Sequence, residues 1–152
     1  MQRKKIDTPI KKYITINMTQ YDSKTVEINK SRVEIFSKLE NMKALEEFKD
    51  KIPQEYREKI NFGEDFISFE LPSFSTNVVL RLVAKNQDSL KFNIEDLPIP
   101  AKFQINLSEK SAETTSLSTS ISADIPFFMK PMISGKIQPA LDKLAETFSK
   151  VL

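Results

Sequence analysis

Ile133, Ile137, Leu141, Leu144, Phe148 and Leu152 recur at intervals of four, four, three, four and four residues, which places them on one face of an α-helix. Ala140, Ala145 and Val151 widen the stripe, and Ser134, Lys136, Gln138, Asp142, Lys143, Glu146 and Lys150 take the opposite side. A helix over residues 124–152 would span roughly 40 Å at about 1.5 Å per residue. Burying its larger apolar side chains contributes on the order of 12–24 kcal/mol gross, before ordering entropy is subtracted. A surface of that size has to be covered, so the rest of the chain is expected to close on this helix.

Upstream, the apolar period is two rather than 3.6. Ile60 and Phe62 lead into a turn at Gly63-Glu64-Asp65, and Ile67, Phe69 and Leu71 alternate beyond it. Val78, Leu80 and Leu82 follow, then Leu90, Phe92 and Ile94 after the turn residues Asn86-Gln87-Asp88. Pro98 and Pro100 fix a longer connection before Phe103, Ile105 and Leu107. The Ser/Thr-rich stretch 111–123 keeps the same period, with Leu117, Thr119, Ile121 and Ala123 on one side and serines on the other, so it reads as a strand with one wet face. Ahead of these strands, residues 21–28 suggest a first strand with Val26 and Ile28 inward. Ser31 and Glu34 form a capping-box pattern for a helix carrying Val33, Phe36 and Leu39. Asn41 is placed to cap a second helix with Met42, Leu45 and Phe48, and Pro53 opens a short third one with Tyr56. Consecutive antiparallel strands with a wet outer face need their inner face covered, and the C-terminal helix is the one element long enough to do it.

Composition removes several chemistries. The 152 residues include no cysteine and no histidine, so disulfides, zinc sites, Cys–His nucleophiles and Ser–His–Asp triads are excluded. Two glycines, at 63 and 135, leave no glycine-rich phosphate loop. Residues 1–17 hold Arg3, Lys4, Lys5, Lys11 and Lys12 against Asp7, a net charge of +4, while the remainder is mildly acidic at −2. That distribution argues against nucleic acid as a partner of the folded part. The N-terminal stretch has no continuous apolar run of signal-peptide length, and no run reaches the roughly 18 apolar residues of a membrane span. A cytoplasmic protein is expected, with residues 1–17 a basic, disordered lead or an over-long start and residues 18–152 a single domain.

The first strand and capped helix (Val26-Glu27-Ile28-Asn29-Lys30-Ser31, then Val33 and Phe36), the long meander, and the tail opening Asp124-Ile125-Pro126-Phe127 resemble the START-like, or SRPBCC, helix-grip superfamily. Within it the likeness is to small bacterial polyketide cyclase-like proteins of undefined function. The resemblance runs from about Thr19 to Leu152 and rests on the pattern of elements, with no catalytic signature. It implies an α+β helix-grip fold: a curved seven-stranded antiparallel sheet wrapped around the C-terminal helix, with a short helical segment between strands 1 and 2. It also implies a cavity between sheet and helix for lipids, polyketides or other apolar molecules.

Candidate ligand-binding residues are those placed on inward strand positions or on the helix face: Phe62, Phe69, Leu80, Phe92, Ile94, Phe103, Ile105 and Thr119 from the sheet, and Phe127, Met129, Met132, Ile133, Ile137 and Leu141 from the tail, with Tyr56 from the helical segment. The plainer alternative for the aromatic set is a filled core. Pro131, Gly135 and Pro139 suggest a kink near residues 135–139, either to follow the sheet or to let residues 127–137 act as a gate facing the loop 96–100. Adjacent carboxylates at Glu46/Glu47, Glu64/Asp65 and Glu95/Asp96 read as solvated charges, so no catalytic, metal or cofactor site is expected. Three readings follow: carriage of an apolar small molecule, a cyclase or aromatase acting through Tyr56 or Thr119, and a protein-interaction module with a filled core. The sequence favours the first and leaves ligand and oligomeric state open.

Overall fold

The computed structural model describes residues 18–71, 76–95, 97 and 99–152. The basic lead at 1–17 lies outside the described residues. The inner-face periodicity of the strands sets the architecture. Strands β1 (Thr19–Asp22), β2 (Val26–Ile28), β3 (Ile60–Phe62), β4 (Phe66–Leu71), β5 (Thr76–Asn86), β6 (Ser89–Glu95), β7 (Ala101–Ser111) and β8 (Thr114–Ala123) form one antiparallel sheet. The order is β1-β8-β7-β6-β5-β4-β3, with β2 also paired to β8. Register places inward residues opposite one another across the whole sheet: Phe69 against Val78, Leu80 against Ile94, Phe92 against Phe103, Ile105 against Thr119 and Ala101 against Ala123.

The expected first strand is divided in two. Asp22 pairs with Ser120 but Val26 pairs with Leu117, so four steps on one strand match three on the other. The extra residue is what lets both Tyr21 and the Val26/Ile28 pair face inward, because an unbroken strand would turn one or the other outward. Ser23 closes the gap: its N–H donates to the Thr119 carbonyl at 2.8 Å, and its Oγ accepts from Thr119 N at 2.8 Å.

Helix α1 (Arg32–Glu40) starts at Ser31, whose Oγ accepts from Glu34 N at 3.2 Å. Its buried face is Ile35 and Leu39, with Phe36 half-buried and Val33 exposed, a correction to the expected Val33-Phe36-Leu39 face. The next segment, Met42–Lys51, is a 3-10 helix rather than an α-helix, and Asn41 makes no side-chain cap. Its apolar residues Met42, Leu45 and Phe48 are spaced by three, the period at which 3-10 side chains eclipse on one face. Here Glu46 Oε1 accepts from Phe62 N at 2.8 Å, so one carboxylate read as solvated covers a backbone donor on the edge strand β3. Arg57, in helix α2 (Gln54–Arg57), closes the segment by donating to the carbonyls of Lys49 (3.1 Å), Asp50 (3.0 Å) and Ile52 (3.1 Å).

Helix α3 (Lys130–Val151) follows a short 3-10 turn at Phe127–Met129 and continues through Pro139 without ending. It lies on the inner face of the sheet. Ala145, Phe148, Val151 and Leu152 at its end join Ile28, Ile35, Leu39, Leu45, Leu90, Phe92, Ile105 and Leu117 in one fully buried cluster. Lys30 and Lys38 both donate to the Leu152 carbonyl oxygen, and Lys38 is held below the usual lysine range by Lys30 beside it and, next, by burial. Along one flank, Gln138 Nε2 donates to Asp22 O at 2.8 Å and Lys24 N donates to Asp142 Oδ1 at 2.7 Å. Lys24 also pairs with Glu146, which raises the Lys24 pKa and lowers that of Glu146.

Two substitutions test this description. Arg57→Ala removes three charge-assisted bonds to carbonyls and is expected to cost about 2 kcal/mol in urea denaturation, with Arg57→Lys recovering only part of it. A Cβ at Gly135 meets nothing within 4 Å, so Gly135→Ala is expected to raise stability by about 0.5–1 kcal/mol.

Candidate functional site

The two halves of α3 meet the sheet differently. Beyond Leu144 the helix is packed against filled core, whereas before it the helix spans a cavity of about 640 Å³. The sheet supplies Phe69, Val78, Leu80 and Ile94 on one side and Ala101, Phe103, Ile121 and Ala123 on the other. The helix and its approach supply Ile125, Pro126, Met129, Met132, Ile133, Ile137, Ala140, Leu141 and Leu144. Leu97 and Ile99 close the side between β6 and β7. Lys136 is the one charged side chain among the described lining residues.

The hollow arises from side-chain size. Ala101 and Ala123 pair across β7 and β8, and Ala140 lies on the helical wall of the same space. Three methyl groups leave room that leucine or phenylalanine would fill. At the boundary with the filled core Phe103 is paired with Phe92, with ring centroids 5.7 Å apart.

Of the candidate residues, Phe69, Leu80, Ile94, Phe103, Met129, Met132, Ile133, Ile137 and Leu141 line the cavity. Phe62, Phe92 and Ile105 do not: they are buried in the filled end of the core, where the aromatic pattern reflects packing. Thr119 is fully buried, and its hydroxyl donates to the Leu141 carbonyl at 3.2 Å, tying β8 to the helix at the boundary between hollow and filled core. Phe127 points away from the cavity and is 86% exposed. Tyr56 belongs to α2, but its side chain lies outside the described residues, as do Asp96 and Pro98 of the rim loop.

The candidate set omitted lining residues such as Ala101, Ala123, Ala140, Ile125, Pro126 and Lys136, while Leu97 and Ile99 belong to the loop 96–100, expected to face the gate. It selected large residues, whereas the informative signal was small ones: alanine at inward positions of β7, β8 and the helix stripe. The expected hydroxyl of Thr119 is committed to the helix, so the wall presents little besides hydrocarbon. Among the described residues no group of three acidic side chains converges on a metal position.

A second depression, of about 440 Å³, lies on the outer face of the sheet and has a different character. Its side chains mostly satisfy one another: Gln104 donates to Asn106 (2.6 Å), Asn106 to Ser120 (2.9 Å), and Ser120 to Asp22 (2.7 Å).

No protein-family model matches the chain, and no curated protein matches it. Solved structures do. Norcoclaurine synthase from Thalictrum flavum, described in complex with dopamine and hydroxybenzaldehyde, superposes with a TM-score of 0.67 at 13% identity, over 90% of this chain and 88% of that one. A START superfamily protein from Mycobacterium smegmatis gives 0.59 at 12% identity, covering 86% and 94%. A conserved protein from Geobacillus kaustophilus gives 0.57 at 17% identity, covering 86% and 92%. At these identities the likeness is one of fold: the chain has the helix-grip α+β fold of START superfamily proteins.

The contrast between the two halves of α3 is testable with a pair of substitutions. Ala140→Phe, directed into the cavity, is expected to leave stability unchanged or raise it by up to about 2 kcal/mol. Ala145→Phe, in the filled half, is expected to lose about 1–3 kcal/mol or more by overpacking. Chemical denaturation of both variants reads the difference.

Proposed function

We propose that the protein binds and carries an apolar small molecule in the space between its sheet and the first half of α3. The observation that carries this reading is the cavity itself: about 640 Å³, within the usual range for small-molecule sites, with a wall that is hydrocarbon apart from Lys136. Such a wall discriminates by shape and hydrophobicity rather than by hydrogen bonding. Water held there would find few partners, so an apolar occupant gains the transfer free energy of its own surface as well as that of the wall.

A lipid, a polyketide or a molecule of similar polarity fits this description. Norcoclaurine synthase, which shares the fold and is described in complex with dopamine and hydroxybenzaldehyde, supports small-molecule binding as a class without supporting a particular ligand. The described wall offers no acid–base pair and no uncommitted threonine hydroxyl, which supports carriage over a cyclase reaction. A protein-interaction module with a filled core fits less well, since the core is filled only beyond Leu144. Met129, Met132, Ile133 and Ile137 from the tail and Leu97 and Ile99 from the β6–β7 connection line the same space, and this supports ligand entry by separation of these two segments.

Solvent extraction of the purified protein followed by mass spectrometry is expected to release a stoichiometric apolar compound. Added back at 100 times its dissociation constant, that compound is expected to stabilise the fold by about 2.7 kcal/mol. For a chain of this size the rise in Tm would be roughly 5–10 °C. Ala140→Phe is expected to abolish the shift while remaining folded. Absence of any extractable compound, together with no shift across a panel of lipids and aromatic polyketides, would remove the proposal.

A further inference from the structure

Lys136 is the one charged side chain among the described residues that line the cavity, and carriage of a purely apolar molecule does not account for it. Its position is set by the helix. Met132, Lys136 and Ala140 follow at intervals of four and form one row along α3, and all three line the cavity. Met132 is 58% exposed, Lys136 and Ala140 are half-buried, and Ile133 and Leu141 alongside are buried. The row therefore runs along the edge of the hollow, between water and the alanine-lined interior.

The opposite row of the helix, Ser134, Gln138, Asp142 and Glu146, is bonded to β1 and to the β1–β2 connection. Ser134 bonds Tyr21 at 2.7 Å, Gln138 donates to Asp22 O at 2.8 Å, Asp142 accepts from Lys24 N at 2.7 Å, and Glu146 pairs with Lys24. Those groups are committed to the fold. The described cavity lining is left with one basic side chain and no acidic one.

A lysine in an apolar wall covers hydrocarbon with its methylene stem and keeps its ammonium toward water. A neutral occupant beside it strips water from that ammonium and returns no acceptor, which is a cost. An occupant with an anion at the same end replaces the lost water with a charge-assisted hydrogen bond. Lys136 already has an interaction within the protein. Its ammonium carries three donors, so an anion is accepted beside that partner.

We infer that the occupant is an amphipathic acid. Its apolar body fills the space bounded by Ala101, Ala123 and Ala140, and its single anionic head, a carboxylate or a phosphate monoester, is held by Lys136 at the rim. The inference rests on carriage of an apolar molecule and adds the polarity and orientation of what is carried. A head at the rim meets water as well as the ammonium, so no ion pair has to be fully buried. Lysine is a point charge rather than a planar fork, which suits either head.

Isothermal titration with four ligands of one chain length, dodecanoate, dodecyl phosphate, dodecanol and dodecylammonium, separates the head from the tail. The unmodified protein is expected to bind one or both acids about tenfold or more tightly than the alcohol, and the amine most weakly. Whichever acid binds more tightly identifies the head. Lys136→Met is expected to reduce the preference for acid over alcohol to less than about twofold, and Lys136→Arg to keep most of it. Lys136→Glu is expected to reverse it in favour of the amine, a result that only a folded site gives. Equal binding of acids and alcohol by the unmodified protein, or a preference that survives in Lys136→Met, overturns the inference and leaves apolar carriage standing. Binding of none of the four overturns both.

Discussion

The structure depends on one packing requirement: the apolar stripe of α3 has to be covered, and the inner face of the sheet has to be covered by it. Neither surface is stable alone in water. Their contact centres on β8, where Leu117 packs into the cluster of Ala145 and Phe148, and Thr119 donates to the helix at Leu141. Around this contact the other elements do subsidiary work. Helix α1 and the 3-10 segment close the filled end, Arg57 holds that segment's final carbonyls, and Glu46 covers a donor on the edge strand. The polar bonds from Gln138 and Lys24 fix the helix's rotation along its flank rather than supplying the bulk of the stabilisation.

A helix gripped along its whole length would be the most stable outcome, and this chain departs from it in a definite way. Ala101, Ala123 and Ala140 meet where larger side chains would have completed the core. Leaving that volume unfilled forfeits dispersion contacts on both walls. The same half of the helix carries Gly135 and Pro139, which weaken helical order and hydrogen bonding, whereas Pro131 sits in the first turn, where no intrahelical bond is lost. The weaker half thus lies over the hollow and the regular half over the filled core. This division is what an openable binding site requires, and it keeps the cost of opening away from the contacts that define the fold.

Much of the architecture was legible because its signals are periodic. Alternation from Ile60 to Ala123 gave the strands and their inner faces, and the spacing of Ile133 through Leu152 gave the helix. Local exceptions were not legible. Whether residues 21–28 form one strand or two depends on Ser23 replacing a ladder bond, which requires the position of Thr119 on another strand. The α1 face was misassigned because Val33 and Ile35 are equally apolar, and tertiary contact with the helix end chose Ile35. For the site, aromatic residues drew attention although Phe62 and Phe92 serve the filled end. A cavity is defined by absent atoms, and only the juxtaposition of three alanines from distant positions reveals it. The loop 96–100 was legible only as a rim, since a proline-rich connection carries no period to single out Leu97 and Ile99.

The central claim is that an apolar hollow persists between the sheet and the first half of α3. Crystal diffraction under xenon pressure tests it most directly, because xenon enters dry apolar cavities without needing a particular ligand. Xenon density, or density of a retained apolar ligand, is predicted in the space bounded by Ala101, Ala123 and Ala140. Neither kind of density there, with Phe103, Met129 and Ile133 collapsed into the space, would contradict the account.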